Sequence, residues 1–264
     1  MSDLLTASGA VPIVGNIDLA EIAWWSFVGF FIALIFYLRR EDRREGYPVE
    51  DAATGIVDTP GGPLSTAEPK EFRLPHGRGS KFAPNNDRDT QTIKGERTFR
   101  SPGAPYVPTG NPFEDGLGPA AWANRDKLPD ITAHGENRIV PNAMATEISV
   151  SKRDPNPVGM TVVGADGAAA GKVAEIWVDR AEHVIRYLEI AIDGGTNVLA
   201  PMPMAKVHKG RGFIEIDALK AAQFAGAPRI STPGQITRYE EERIMAYFGG
   251  GYLYADAERQ EPLV

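Results

Sequence analysis

The stretch IAWWSFVGFFIALIFYLRREDRREGYP, Ile22–Pro48, decides the architecture. Its first seventeen residues, Ile22–Leu38, carry no charge. A bilayer core about 30 Å thick takes about 20 mostly apolar residues in a helix. Adding Leu19 and Ala20 reaches that length and leaves Glu21 near an interface. The run is apolar on all sides, unlike a half-buried helix of a soluble core. Trp24 and Trp25 lie near one end and Tyr37 at the other, as interfacial aromatics do. The spacing predicts a single transmembrane helix over residues 19–38. A cleaved signal peptide needs a basic leader and a small-residue cleavage site. Residues 1–21 hold no Lys or Arg but carry Asp3, Asp18 and Glu21, and the run ends in Leu38-Arg39-Arg40. The helix is therefore expected to stay.

Arg39, Arg40, Arg43 and Arg44 follow the helix directly, and no basic residue precedes it. The positive-inside rule puts them on the cytoplasmic side, with residues 1–18 outside as a short tail. Such arginines reach lipid phosphates, at about 1 kcal/mol each near an anionic surface. Glu41, Asp42 and Glu45 reduce the net charge. Arg40 and Arg44 lie at i, i+4, as do Glu41 and Glu45, so a helix continuing a turn or two into water would carry these charges on its sides. Gly46 and Pro48 then stop it, with Tyr47 between them.

The whole chain of 264 residues has room for one or two domains with a real core. Its formal charge of −7 argues against bulk nucleic-acid binding, which needs a basic face. Cysteine is absent, which excludes disulfides, thiolate metal sites and cysteine nucleophiles. The four histidines, His76, His134, His183 and His208, have no metal-ligand spacing. Nucleotide-binding glycine motifs and the serine-nucleophile motif are also missing.

Residues 39–120 read as a membrane-surface segment and a long extended coil, rich in Pro, Gly, Asp, Thr and Asn. Such composition cannot bury enough apolar surface by itself. Yet Phe72, Leu74, Phe82, Phe99, Tyr106, Phe113 and Trp122 recur through it. That pattern suggests a coil pinned onto another, large surface.

Residues 121–264 read as a β-domain with its core over about 158–218. MTVVG at 160–164, KVAEIWVD at 172–179 and VIRYLEIAI at 184–192 alternate with period two. In the last of these, Val184, Leu188, Ile190 and Ile192 share one face, with Arg186 as the exception. Asp193-Gly194-Gly195 is a hairpin turn. TNVLA, AKVH and FIEID complete about six strands of a small antiparallel barrel. Thr232-Pro233-Gly234-Gln235 carries helix-start signals, and Gly249-Gly250-Gly251 a stop, which predicts a helix over about 233–248.

Titratable groups gather in irregular chain. Asp130, His134 and Glu136 lie in DKLPDITAHGEN; an extended strand would face His134 and Glu136 the same way. Asp166 sits in a turn, with Lys172 and Glu175 after it. Solvated loop charge is the plain reading. The sharper one is a proton-accepting patch titrating near neutral pH, in which His134 and Glu136 could also catch a divalent ion.

Several of these segments together resemble the H subunit of the purple bacterial photosynthetic reaction centre. They are LRREDRREGYP at 38–48, LPHGRG at 74–79, PTGNPFEDGLGPAAW at 108–122, AGKVAEIWVDRAE at 170–182, PMPMAKV at 201–207 and EEERIMAYFGGGYLYA at 240–255. The AGKVAEIWVD region is also similar to the PRC-barrel domain. The resemblance implies a single-pass subunit of the bacterial inner membrane with a periplasmic N-terminus and no catalytic residues of its own. It implies L and M subunits as partners, holding bacteriochlorophyll, bacteriopheophytin, quinones and a non-haem iron that this chain does not itself bind. Membrane lipids, a cytochrome subunit and a light-harvesting ring are further partners it allows. The implied role is to cap the cytoplasmic face, stabilise the complex, shield the quinones and assist proton delivery to the reduced secondary quinone. Arg39, Arg40, Arg43, Arg44 and Tyr47 would then contact the membrane surface and the partner subunits.

The family's proton entrance has an acid and two imidazoles. Those positions read Thr132, His134 and Glu136 here, so one imidazole is kept and the acid is gone. A first acid of the later turn matches Asp166, while a second falls on Ala168. The expected route is therefore similar but not residue-identical. The competing reading is a membrane-tethered PRC-barrel protein with some other partner.

Overall fold

The computed structural model describes residues 12–14, 17–47, 49–51, 54–58, 67–85, 92–192 and 194–260. Most of the tail expected at 1–18 lies outside them, as do Pro48 of the helix stop and Asp193 of the hairpin turn. Two compact units emerge: one reaches residue 91 and includes Arg100–Gly103; the other comprises Thr92–Phe99 and the chain from Ala104 onward.

In the first unit, short strands β1 (Pro12–Val14) and β2 (Ile17–Asp18) pair just before helix α1 (Leu19–Glu41). At 1.5 Å per residue, its 23 residues span about 35 Å, enough to cross a bilayer. None of its residues is buried: Trp24 is 60% and Phe30 59% exposed. Among the described residues it is the one helix long and apolar enough to cross a membrane. A short 3-10 turn, Asp42–Arg44, follows; extended Glu45 ends the helical course, and Gly46 after it is left-handed (φ +77°). Two small antiparallel hairpins come next, β3 (Val49–Glu50) with β4 (Val57–Asp58), and β5 (Lys70–Arg73) with β6 (Ser80–Ala83). All four residues of β5 are exposed, so this hairpin has no buried face of its own.

The second unit starts with the hairpin of β7 (Gly95–Arg97) and β8 (Tyr106–Pro108). A single turn, α2 (Pro112–Asp115), forms because Asn111 caps it, Pro112 opens it and Gly116 (φ +65°) closes it. Seven strands then make one sheet. They are β9 (Ile139–Pro141), β10 (Thr161–Val163), β11 (Ala169–Asp179), β12 (Val184–Ile192), β13 (Thr196–Pro201), β14 (Lys206–His208) and β15 (Phe213–Glu215). Hydrogen bonds link them in the order β13-β12-β11-β10-β15-β14, and β9 flanks the second half of β11. Long β11 thus pairs with β12 along its length, and on its other edge with β10 and then β9.

The period-two pattern puts Leu188, Ile190, Ile214 and Ile216 in the core; β11 breaks the alternation at two register shifts, and its Val173, Ile176 and Trp177 are buried as well, all at 3% exposure or less. Two expectations need correction. The sheet is not wholly antiparallel, since β10 and β15 run parallel, which the long return through β11–β14 makes possible. Val184 does not join Leu188, Ile190 and Ile192: it opens β12 at a hairpin and is 44% exposed.

Helix α3 (Arg238–Tyr254) differs at both ends from the expected 233–248. Thr232–Gln235 is a turn, and Gly234 at φ +75° breaks any helix there. The real capping box lies five residues on, Thr237 with Glu240, each side chain accepting from the other's amide. Gly249–Gly251 lie inside the helix rather than after it. A side chain on Gly250 would meet Ala120, and one on Gly251 would meet the Ala218 carbonyl. Close backbone packing, not helix termination, is what those glycines serve.

Candidate functional site

Where α1 leaves its apolar run, Arg44 turns inward to the chain. Its Nε and Nη2 donate to the two Glu41 oxygens at 2.7 Å, and its Nη1 donates to the carbonyls of Glu68 (2.6 Å) and Ala83 (2.9 Å). The pairing is i, i+3. Arg44 is therefore a clamp on the β5–β6 hairpin and is not free for lipid phosphate. Arg43 lies over the Tyr47 ring at 5.1 Å, which gives Tyr47 a cation partner next to the helix stop. Arg39 is exposed and Arg40 half-buried.

In the second unit the irregular chain before the barrel is tied to the start of α3. The carbonyls of Asp126 and Leu128 accept from the amides of Tyr239 (3.1 Å) and Arg238 (3.0 Å), two of the helix's orphan donors. Arg125 pairs with Glu242 at 3.5 Å, and Ala123 N donates to the same carboxylate. Further back, Phe113 packs 4.8 Å from Tyr247, and Arg243 stacks over Trp122 at 4.5 Å.

The segment after it forms a tight turn closed by the Ile131–Asn137 bridge and by Thr132 N donating to Glu136 O at 2.8 Å. His134 and Glu136 are both exposed in it, with Gly135 left-handed (φ +87°) between them. They lie on a turn and not on the extended strand considered above. Glu136 reaches Arg180 at 3.4 Å. Among the described residues, no group of three or more His, Asp or Glu could hold a metal ion.

Arg138 organises the base of this turn. It contacts Asp130 at 3.5 Å, both oxygens of Asp179 at 2.8 and 3.0 Å, and Glu182. Asp179 is 1% exposed. Burial alone would raise its pKa, but Arg138 and the amides of Ala181 and Glu182 outweigh it and hold it below the usual carboxylate range.

Asp130 also borders a cavity of about 450 Å³ between the turn, β12 and the first turns of α3. Arg186, Tyr187, Arg238 and Glu241 line it. Tyr187 is 2% exposed and donates its hydroxyl to Glu241 at 3.0 Å. Burial raises the Glu241 pKa, opposed by the Tyr187 hydrogen bond and by Arg186, with Asp130 adding to the rise. A carboxyl poised this way beside a solvent-reached cavity can take and release a proton.

Asp166, Lys172 and Glu175 lie elsewhere. Asp166 Oδ1 accepts from the amides of Ala168 (3.3 Å) and Ala221 (3.2 Å), closing the turn that carries the exposed Ala168. Lys172 is exposed on β11, and Glu175 faces Glu189 across the ladder. Asp166 precedes the first residue of β11, whereas Asp179 is its last. Those ends lie about 30 Å apart along the strand at about 3.3 Å per residue. The structure thus brings Asp130, His134 and Glu136 to one turn, and leaves Asp166, Lys172 and Glu175 apart from it. Sequence reading missed Arg138, Asp179, Arg186, Tyr187 and Glu241. Glu241 sits in an acid run that looks like ordinary helix-start charge, and no local signal marks it.

Two family models match successive parts of the chain. The model for the photosynthetic reaction centre H-chain N-terminal region matches residues 11–144, and the PRC-barrel domain model matches residues 150–223. The first takes in the apolar helix, the Arg44 clamp, the coil and the Arg138 turn; the second takes in β10–β15. With half of its length matched by the H-chain model, this chain belongs to the H-chain family of the photosynthetic reaction centre.

Proposed function

We propose that this chain anchors by α1 and caps the cytoplasmic face of the L and M subunits. It stabilises them, shields the quinone region and helps deliver protons to the reduced secondary quinone. The observation that supports this reading is the continuity of an exposed apolar helix with an H-chain region in which Phe72, Phe82 and Phe99 stay exposed. H chains are in general non-catalytic accessory subunits, and the pigments and quinones belong to the complex. On this reading the N-terminus is periplasmic and the second unit cytoplasmic, because the arginines follow the helix. Arg39, Arg40 and Arg43 serve the membrane surface, and Tyr47 the subunit contact.

For proton delivery, the exposed turn with His134 and Glu136 is the water-facing end. Asp130 and Glu241 at the cavity are the next acceptors inward. Asp166, Lys172 and Glu175 are a separate group on the barrel, whose part is to carry protons where the family's second acid is replaced by Ala168.

The first test is recovery of the complex. A C-terminally tagged chain, extracted gently from native membranes, should bring down bacteriochlorophyll and bacteriopheophytin absorption in fixed ratio, bleaching reversibly with light. An intact but colourless preparation would leave a tethered PRC-barrel protein with another partner. The second test is kinetic. His134→Ala with Glu136→Ala should slow the second electron transfer to the secondary quinone several-fold, since that step takes up a proton. Flash kinetics unchanged from neutral to alkaline pH would place the entrance elsewhere.

A further inference from the structure

The cavity that Asp130 and Glu241 border holds more positive charge than its walls balance. Three exposed arginines line it: Arg125 from the coil, Arg186 from β12 and Arg238 from the first turn of α3. Three acids face them, Asp130, Glu241 and Glu242. Two of these acids are already engaged. Glu242 pairs with Arg125 at 3.5 Å, and Asp130 pairs with Arg138 at 3.5 Å. The third, Glu241, accepts the Tyr187 hydroxyl, and burial favours its neutral form. Arg186 and Arg238 remain. Among the described residues, neither guanidinium has a hydrogen-bond or ion-pair partner.

A guanidinium carries five donors and no acceptor, in a planar fork that matches the oxygens of a carboxylate, sulfate or phosphate. The space of about 450 Å³ falls within the range of small-ligand sites, about 300–1,000 Å³. A cation would meet three arginines, so the charge selects an anion. Such an anion would also act on Glu241. Arg186 and Arg238 favour the ionised carboxylate through space. An anion between them offsets that pull and adds a negative charge beside Glu241. Both effects favour the protonated carboxyl, so binding would draw a proton from water. The charged and titratable groups around Glu241 are Arg186 and Tyr187 on β12, Arg125 and Asp130 on the coil, and Arg238 and Glu242 on its own helix. Among the described residues, no histidine lines the cavity to titrate in its place.

We propose that this cavity binds a small oxyanion between Arg186 and Arg238, and that its occupancy puts a proton on Glu241. The site stands on the arginines; its consequence for quinone protonation rests on the proton route proposed above.

The test uses the full-length chain in detergent, with sulfate as the probe because it stays a dianion from weak acid to alkali. Chloride keeps the ionic strength constant. Sulfate should bind with one-to-one stoichiometry, and about tenfold more weakly to Arg186→Gln or Arg238→Gln. Both side chains are exposed, so denaturant midpoints should stay at wild type and separate lost binding from misfolding. Calorimetry in buffers of different ionisation enthalpy should read proton uptake on binding. Affinity should fall as pH rises past the Glu241 pKa and level off above that of the occupied site. Glu241→Gln should bind sulfate at every pH as tightly as wild type does in acid, without proton uptake. No saturable binding above chloride, binding indifferent to both arginine variants, or proton uptake unchanged in Glu241→Gln would each overturn the proposal. In the recovered complex, sulfate should shift the pH dependence of the second electron transfer. Sulfate binding there with proton uptake but with flash kinetics unchanged would strike the relay through Glu241 and leave the oxyanion site standing.

Discussion

Residues 67–99 and residues 111–130 share a composition of Pro, Gly and scattered aromatics, yet those aromatics end in different surroundings. In the later segment Phe113 packs against Tyr247 and Tyr254, and Trp122 lies beneath Arg243, so the coil is pinned to α3. In the earlier one Phe72, Phe82 and Phe99 are 43%, 55% and 57% exposed. A coil of this kind needs an external surface to offset its ordering entropy. The chain supplies that surface itself for the later segment, through the glycine-lined face of α3. For the earlier one the described residues supply none, and α1 is equally exposed. The boundary between these two cases marks where the proposed partners should begin.

The largest effect should come from breaking the anchor between the turn that follows the pinned coil and the barrel. Arg138→Met leaves Asp179, 1% exposed, as an uncompensated buried charge. That should cost about 3–5 kcal/mol in denaturant unfolding of the full chain. The pH dependence follows from the lowered pKa of Asp179. The pair's contribution is fully present above the ordinary aspartate pKa and lost as pH falls through the lowered, folded-state value. The difference between wild type and Arg138→Met should therefore shrink in strong acid and stay constant above about pH 5. A difference that grows in acid would contradict the ion-pair account.

Next in size is the pinning itself. Phe113→Ala should cost about 2–4 kcal/mol, as for other large-to-small changes against a packed surface. Gly250→Val should cost about 1–3 kcal/mol by overpacking against Ala120. Both should expose the coil around residues 111–122 to protease. If neither does, the coil is not held by α3.

Smallest for stability, and sharpest for the comparison, is Phe72→Ser with Phe82→Ser. Exposed side chains change stability by no more than about 0.5 kcal/mol. The isolated chain should unfold as wild type does, while its recovery with pigment-bearing partners should fall. A stability loss comparable to Phe113→Ala would mean that the earlier segment has a cover within the chain after all.

Legibility in the sequence followed the range of the interactions. The membrane helix was readable because its signal is contiguous, seventeen uncharged residues in a row. The strands were readable because alternation is local; β12 was anticipated to the residue and β15 nearly so, though Val184 at the hairpin edge is exposed rather than buried. Helix α3 was found but misplaced. Thr232 reads as the cap, but the left-handed Gly234 breaks a helix there and Thr237 caps it instead. Its three glycines resemble a stop signal until Ala120 and Ala218 are seen against them. The candidate site was the least readable part. Asp130, Tyr187 and Glu241 come from a coil, a strand and a helix, and no spacing rule connects them.

The sequence by itself determined the class of this protein: a single apolar anchor followed by a long coil and a small β-domain with one helix. It could do so because hydrophobic run length and period are properties of neighbouring residues. The tertiary structure decided where the charges act. It took Arg44 from the lipid surface to the chain's own carbonyls, left Asp166, Lys172 and Glu175 apart from the turn that holds Asp130, His134 and Glu136, and set Glu241 beside Tyr187. Those outcomes depend on burial and on contacts between residues distant in sequence, which only the packed chain supplies.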